Sequence, residues 1–460
     1  MVKQIMHHSI LTEIKANLLL SLPLMAAWII HSLGPFAGTA MIAHLGKDAL
    51  AANVLVATIW MAGITFWFGL FHAVSILIPH QMGANNNEAI SQIMGQALSL
   101  NFFSWFPMIG LLWAIPFLVH WSAPNQEILK YATEYSHALM FAVPGVITFA
   151  IIGHFLVGIG KTKMSLYISL IEIPLEIIFI YVFVFGKFGV SAFGIAGVGY
   201  GLAFSFTLTN IVILICLYRA KFAKPFKIFQ HIGTMNWASC KEMLRIGLPI
   251  GFTYFIELVG FTVVTYFVSR FNNTALAAHQ IILQFEGVLF NIPHAISQAI
   301  TVRVGINVGR IDKTGVIYAS YVGIVLGFLI SLGIFLVLIL FPKIMISIDF
   351  NIDEHPKIVQ MVTPLFFILG IYQVVDSIRV LEAGALRGLK DTKFTMYVNI
   401  FCFSILGVLL AYLIGIVFHH NVQGIWYGLT FGVMLCAMAL FFRLKKIIKN
   451  ADLSQLLKIY

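Results

Sequence analysis

Three places in the chain set ionisable side chains inside apolar sequence. Glu257 lies between Gly251 and Gly260 with only apolar, aromatic or small neighbours apart from Thr253 and Tyr254. Tyr372, Asp376, Arg379 and Glu382 follow one another at spacings of four, three and three, which places them on one stripe of a helix. Glu172 and Glu176 stand four apart around Pro174. An ionisable group at mid-membrane costs at least ~2.5 kcal/mol unless it faces a cavity or a partner. Protons and small cations compete for a carboxylate kept from bulk water, which is the chemistry that ion coupling requires. Each site also has a plainer account. Arg379 can neutralise Asp376 or Glu382 on its own helix so that the span inserts. Glu257, with no basic neighbour in its span, would be a neutral, hydrogen-bonded interior carboxyl, and Glu172 could snorkel toward a membrane surface.

The elements that must carry these residues follow from composition. Of 460 residues, 60% are hydrophobic and 10% charged, whereas a soluble domain carries about a quarter charged residues. No water-soluble core absorbs that excess, so a soluble enzyme, a disordered scaffold and a large extramembrane catalytic domain are excluded. Apolar runs bounded by Gly, Pro, Asn and charge give spans near 16–42, 52–79, 94–119, 133–156, 164–185, 194–218, 243–269, 277–302, 316–341, 359–385, 394–418 and 424–442. The fold class is therefore an all-α polytopic membrane protein with twelve transmembrane helices. The formal charge of +10 is informative through its placement. With both termini cytoplasmic, 21 Lys and Arg fall on the inside, Lys3 and Lys458 among them, 6 fall outside, and Arg379 lies within a span. This asymmetry predicts a multi-pass protein of the plasma membrane (the bacterial inner membrane) and no nucleic-acid partner.

The chain repeats itself. A shift of 226 carries Leu22 and Pro23 onto Leu248 and Pro249, Ala49-Leu50-Ala51-Ala52 onto Ala275-Leu276-Ala277-Ala278, and Gly83 onto Gly309. A shift of 230 relates Gly158, Thr162 and Lys163 to Gly388, Thr392 and Lys393. A shift of 227 relates Gly197, Tyr200, Gly201, Leu202 and Phe204 to Gly424, Tyr427, Gly428, Leu429 and Phe431. Each half has an even number of spans, so the repeats run parallel, as two six-helix bundles related by an axis along the membrane normal. The expected domains are an N-lobe over 1–218, a cytoplasmic linker over 219–242 and a C-lobe over 243–460. A cleft between such lobes opens to either side in turn, which makes transport the leading function.

Other classes find less support. Gly160-Lys161-Thr162 lacks the glycine a phosphate loop needs five positions earlier, where Phe155 stands. His7-His8 and His419-His420 are isolated surface pairs, and the four cysteines have no paired spacing, so neither an enzyme nor a structural metal is expected. A channel or a non-transporting membrane scaffold remains as an alternative.

Local strings add a resemblance. They are His44-Leu45-Gly46 with Ala49 to Ala52, Gln81-Met82-Gly83-Ala84, Gly247 to Pro249, Ala277-Ala278-His279-Gln280, Arg303-Val304-Gly305, and the run from Glu382 through Gly384-Ala385-Leu386-Arg387-Gly388 to Lys390-Asp391. In these the chain resembles a multidrug and toxic compound extrusion (MATE) transporter of the bacterial drug-exporting branch, over most of its length. The resemblance implies two six-helix lobes around a V-shaped cavity. It also implies antiport of cationic or amphipathic small molecules against sodium ions or protons, by a monomer without a cofactor. It assigns a C-lobe cation site to Glu257 and Asp376, where Na+ could bind, with Tyr372 and Gln280 as neighbours. Two departures stand out. The first-helix aspartate of that branch is replaced by Gly38, while Glu172 and Glu176 occupy fifth-helix positions where the family carries asparagine. The N-lobe carboxylate is therefore expected to have moved to the fifth helix, with Glu176 favoured over Glu172 and Glu382 a further acidic candidate. Arg379 is the second departure: a fixed positive charge beside Asp376 works against proton binding there and complicates sodium binding. A sister-branch alternative, a flippase for lipid-linked oligosaccharide, lines its cavity with basic residues, whereas the intramembrane charges here are mostly acidic.

Overall fold

The computed structural model describes residues 9–122, 125–234, 236–349, 356–450 and 452–456; Lys3, His7, His8 and Lys458 lie outside them. Among the described residues every regular element is helical. Eleven helices are long and apolar enough to cross a membrane: α1 (Ile10–Ala43), α2 (Lys47–Gly83), α3 (Asn87–His120), α5 (Thr162–Phe185), α6 (Ala196–Arg219), α7 (Trp237–Ser269), α8 (Asn273–Gly309), α9 (Lys313–Leu340), α10 (Ile358–Gly388), α11 (Thr392–Val417) and α12 (Asn421–Asn450). The pair Gln126–Met140 and Val143–Gly158, bent by 50°, completes twelve as the single span α4. Large apolar side chains line helix exteriors, as at Phe106, Trp113 and Phe117 of α3. Such a surface is stable against acyl chains and not against water.

Several helices outrun the bilayer. The 37 residues of α2 would extend about 55 Å at 1.5 Å per residue, against a hydrocarbon thickness near 30 Å. The excess is handled by breaks. α1 is interrupted at Ser32, whose Oγ donates to Ile29 O at 2.7 Å, and α2 at His72, where Ser75 Oγ donates to the His72 carbonyl at 2.9 Å. In α11 the irregularity is π-helical, over Asn399–Gly407 and Leu413–Val417. Such bulges turn side chains away from the α-helical register and recur at functional sites.

Helix pairings repeat between the halves: α2 packs along α4 as α8 packs along α10, and α5 along α6 as α11 along α12. The glycines matched by the 227-residue shift do the same work twice. A Cβ on Gly201 of α6 would stand 2.7 Å from the Ile180 backbone of α5, and one on Gly428 of α12 would overlap the Ala411 backbone of α11. Gly428→Ala is accordingly expected to cost about 1–3 kcal/mol, since the obstruction is backbone and cannot rotate away. Thermal unfolding in detergent measures this, and an unchanged transition would show that α11 and α12 have room to separate.

Two compact units result. One comprises residues 26–251, the other residues 1–25 with 252–458. The chain passes from one to the other inside α1, after Met25, and again inside α7, after Gly251. Each crossing lies two residues beyond a proline, Pro23 and Pro249, and the crossings share the 226-residue offset of the repeat. In the second unit, buried Glu13 of α1 receives Arg303 of α8 in a two-pronged pair, Nε to Oε1 at 3.2 Å and Nη2 to Oε2 at 2.5 Å. Residues 219–230 turn back within the first unit. Trp60 and Phe71 are buried in the first unit, while Phe255 of α7 is exposed.

Candidate functional site: a buried carboxylate cluster in each unit

In the second unit the cluster is organised by Arg379 of α10. Its Nε donates to Asp376 Oδ1 at 2.7 Å and its Nη1 to Glu257 Oε1 of α7 at 2.5 Å. The same Nη1 donates to Asn399 Oδ1, and the Phe403 ring lies 5.7 Å from the guanidinium carbon. Asn399 opens the π-helical stretch of α11 and is itself oriented by its Nδ2, which donates to Thr395 O at 2.9 Å. Three helices thus hold one buried guanidinium. The helical spacing left both Asp376 and Glu382 as candidates to pair with it. Side chains on a helix lean toward its N-terminus, so Arg379 reaches back to Asp376 and not forward to Glu382. Its second carboxylate comes from another helix. Glu257, read from sequence as lacking a basic neighbour, therefore has one. Glu382 is buried, and its Oε2 makes no hydrogen bond among the described residues.

Tyr372, one turn before Asp376, is buried edge-on against Trp426 with ring centroids 5.4 Å apart, and within electrostatic reach of Asp376. Trp426 Nε1 donates to His279 Nδ1 at 3.3 Å, and His279 Nε2 lies 3.1 Å from Thr265 Oγ1. It is His279 that faces inward here; Gln280, one position on, is exposed and shares none of these contacts. Two features were not read from sequence. Half-buried Glu286 of α8 lies within electrostatic reach of Asp376, Glu257 and Arg379, and a charged residue inside the span expected at 277–302 was the signal for it. Asn399 offered none, being neutral in an apolar run. Two carboxylates thus pair with one guanidinium, and a third carboxyl lies within its field. Asp376 Oδ2 and both amide atoms of buried Gln373 make no hydrogen bond among the described residues.

The first unit carries the second cluster. Glu172 and Glu176 of α5 are 0% and 3% exposed and within electrostatic reach of each other. His31 of α1 stands with Nδ1 3.9 Å from Glu172 Oε2 and with Nε2 2.9 Å from Ser169 Oγ. Ser205 of α6 is within side-chain hydrogen-bonding reach of Glu172, and no Lys or Arg pairs with either carboxylate among the described residues. Glu176 presses on α1 where Gly34 has no side chain: a Cβ there would lie 2.7 Å from Oε2. Tyr135 of α4 lies within electrostatic reach of Glu176. Gly38, one turn later, faces Ile180 and Val198 at ordinary contact distances. The carboxylate thus meets α1 at Gly34, one turn away from the position where the resemblance places an aspartate.

Much of the Glu382–Asp391 string serves packing. Gly384 brings α10 against α8, where its carbonyl accepts from Thr301 Oγ1 at 2.8 Å and a Cβ would overlap Ser297. Arg387, counted from sequence among the inside charges, is buried. It donates from Nη1 to the Tyr254 hydroxyl at 2.9 Å and from Nη2 to Ser297 Oγ at 3.1 Å. Among the described residues no three His, Cys, Asp or Glu side chains converge as a metal site.

Twelve membrane-crossing helices, arranged as two parallel repeats with a buried carboxylate cluster in each unit, define a double-bundle membrane transporter. The MatE family model matches residues 23–182 and again 249–413, starting points that themselves differ by the repeat offset. The chain belongs to the MatE family. A probable multidrug resistance protein NorM of Mannheimia succiniciproducens is 28% identical to it over 453 residues, covering 97% of each chain. Multidrug resistance protein NorM of Vibrio cholerae is 27% identical, covering 95% of this chain and 96% of its own. Among solved structures, the eukaryotic MATE transporter AtDTX14 superposes with a TM-score of 0.84 at 18% identity, covering 97% of this chain and 98% of that one. A MATE P26A mutant superposes with a TM-score of 0.87 at 19% identity, covering 96% and 97%. At such identities the likeness is one of fold.

Proposed function

We propose that the protein exports cationic or amphipathic small molecules across the bacterial inner membrane, in exchange for sodium ions or protons, by alternating access. Its termini would face the cytoplasm, as the distribution of Lys and Arg favours, and the working unit would be the monomer. The lobes would be the two sequence repeats, 1–218 and 243–460. The observation that carries this reading is the Glu172–Glu176 pair, two buried carboxyls without a Lys or Arg partner among the described residues. Such a pair holds at most one full charge comfortably, so it gains from binding one proton or one small cation. Glu257, Asp376 and Tyr372 form the second proposed coupling site, where an incoming cation competes with Arg379 for the same oxygens. The multidrug resistance names of the relatives agree with cationic cargo, which aromatic faces and carboxylates both attract. An oligosaccharide flippase is disfavoured because buried Glu172, Glu176, Asp376 and Glu382, with half-buried Glu257 and Glu286, outnumber the buried cations Arg379 and Arg387, and they would repel a pyrophosphate.

The test is efflux of a fluorescent cation from proteoliposomes, with sodium and proton gradients imposed separately. One of the two gradients is expected to drive saturable efflux. Transport unaffected by either gradient, or non-saturable ion conduction, would remove the antiport reading.

A further inference from the structure

A basic cavity lies at the end of α6, lined by none of the residues of the carboxylate clusters. The last turn of this membrane span supplies Leu217, Tyr218 and Arg219. The chain then closes through a 3-10 turn, Lys224–Phe226, into Lys227, which adopts the left-handed region at φ 43°. Leu217, Tyr218, Arg219, Lys224, Lys227 and Phe229 wall an open cavity of about 730 Å³. Arg219, Lys224 and Lys227 line it, and no acidic side chain does. None of the three cations makes an ion pair among the described residues.

The segment is pinned in place by α3. Lys227 O accepts from Ser91 Oγ at 2.8 Å, Gly233 N donates to Ser99 Oγ at 3.1 Å, Gln96 Nε2 donates to Thr234 O at 2.5 Å, and His231 Nε2 meets Glu88 Oε1 at 2.7 Å. Phe226 and Ile228 are buried beneath it. The fold therefore places three exposed cations around one space, where like charges repel, and an anion seated between them removes that repulsion. The other wall is apolar, with Leu217 buried and Tyr218 exposed at the end of the span. Aromatic residues at this level sit among lipid headgroups.

We infer that this cavity binds an anionic phosphate group whose apolar remainder lies along Tyr218, Leu217 and Phe229, as an acidic phospholipid headgroup does. Arginine offers phosphate a planar fork and lysine a point charge, and basic pockets at the ends of membrane spans are suited to acidic headgroups. The site is independent of the transport reading. It anchors the segment joining the two sequence repeats to the membrane surface.

The experiment is native mass spectrometry of the full-length protein in mild detergent with added phosphatidylglycerol or phosphatidylcholine, repeated with inorganic phosphate as competitor. The parent is expected to retain phosphatidylglycerol over phosphatidylcholine. The triple variant Arg219→Gln, Lys224→Gln, Lys227→Gln should bind it roughly a hundredfold more weakly, since each cation near an anionic surface contributes a factor of about five. A control triple, Lys47→Gln, Lys130→Gln, Lys187→Gln, at the other ends of the spans, should bind like the parent. Retention that resists millimolar phosphate assigns the site to lipid, and displacement by phosphate assigns it to a soluble phosphate. Equal retention of the two lipids by the parent, or undiminished phosphatidylglycerol binding by the first variant, overturns the inference.

Discussion

Arg379→Ala is expected to destabilise the protein by about 3–5 kcal/mol, the range seen when one partner of a buried ion pair is removed and the other is stranded. Arg379 is 4% exposed and its guanidinium joins Asp376, Glu257 and Asn399 from three helices, so its loss leaves two carboxylates facing each other and the Asn399 oxygen with only the weak Cys436 thiol as donor. Arg379→Lys should recover part of the loss, because an ammonium matches the charge but not the fork. Adding Asp376→Asn to Arg379→Ala should restore more stability than the two single effects predict, as coupled neighbours do. Thermal inactivation in detergent reads all three. If Arg379→Ala unfolds with the parent, the carboxyls were already neutral and the ion-pair account of this cluster is wrong.

The second large effect belongs to the other unit. Glu176→Gln keeps the shape that fits against Gly34 and removes only the ability to hold a proton or a cation. Gradient-driven efflux should fall to the rate of vesicles without a gradient while folded protein remains in the membrane. One elementary charge moving down 100 mV supplies ~2.3 kcal/mol, and without a seat for the ion that drive is not transmitted. Gly34→Ala offers an independent check: the carboxylate keeps its charge but loses its place, so efflux should again be impaired. Efflux from Glu176→Gln equal to that of the parent would end the proposal that the first-helix aspartate has been replaced from α5. Glu257→Gln asks the same of the second unit, where Arg379 already competes for the oxygens.

These two clusters mark where sequence reading succeeds and where it stops. Helix number and the internal repeat were legible because they depend on local composition and on residue type at a fixed offset. Gly201 and Gly428 keep their places in the repeat because each admits a neighbouring backbone. The acidic residues stood out because lipid makes any charge costly wherever it falls. Partnership was not legible. Spacing along α10 left Asp376 and Glu382 as candidates for Arg379, and only packing brought in Glu257 from α7 and Asn399 from a π-helical turn. Gln280 carried the expected motif, yet the rotation of α8 turns His279 inward instead.

The covalent repeat and the packed units also differ. The longest polar stretch separates the two halves in sequence, whereas the structure exchanges the first parts of α1 and α7 at symmetry-matched points beyond Pro23 and Pro249. The sequence by itself determined a twelve-span, twice-repeated membrane chain with acids in its interior, because hydropathy and charge act residue by residue. Tertiary structure decided which acids are neutralised and which are free, because that depends on distances between helices that no local pattern encodes.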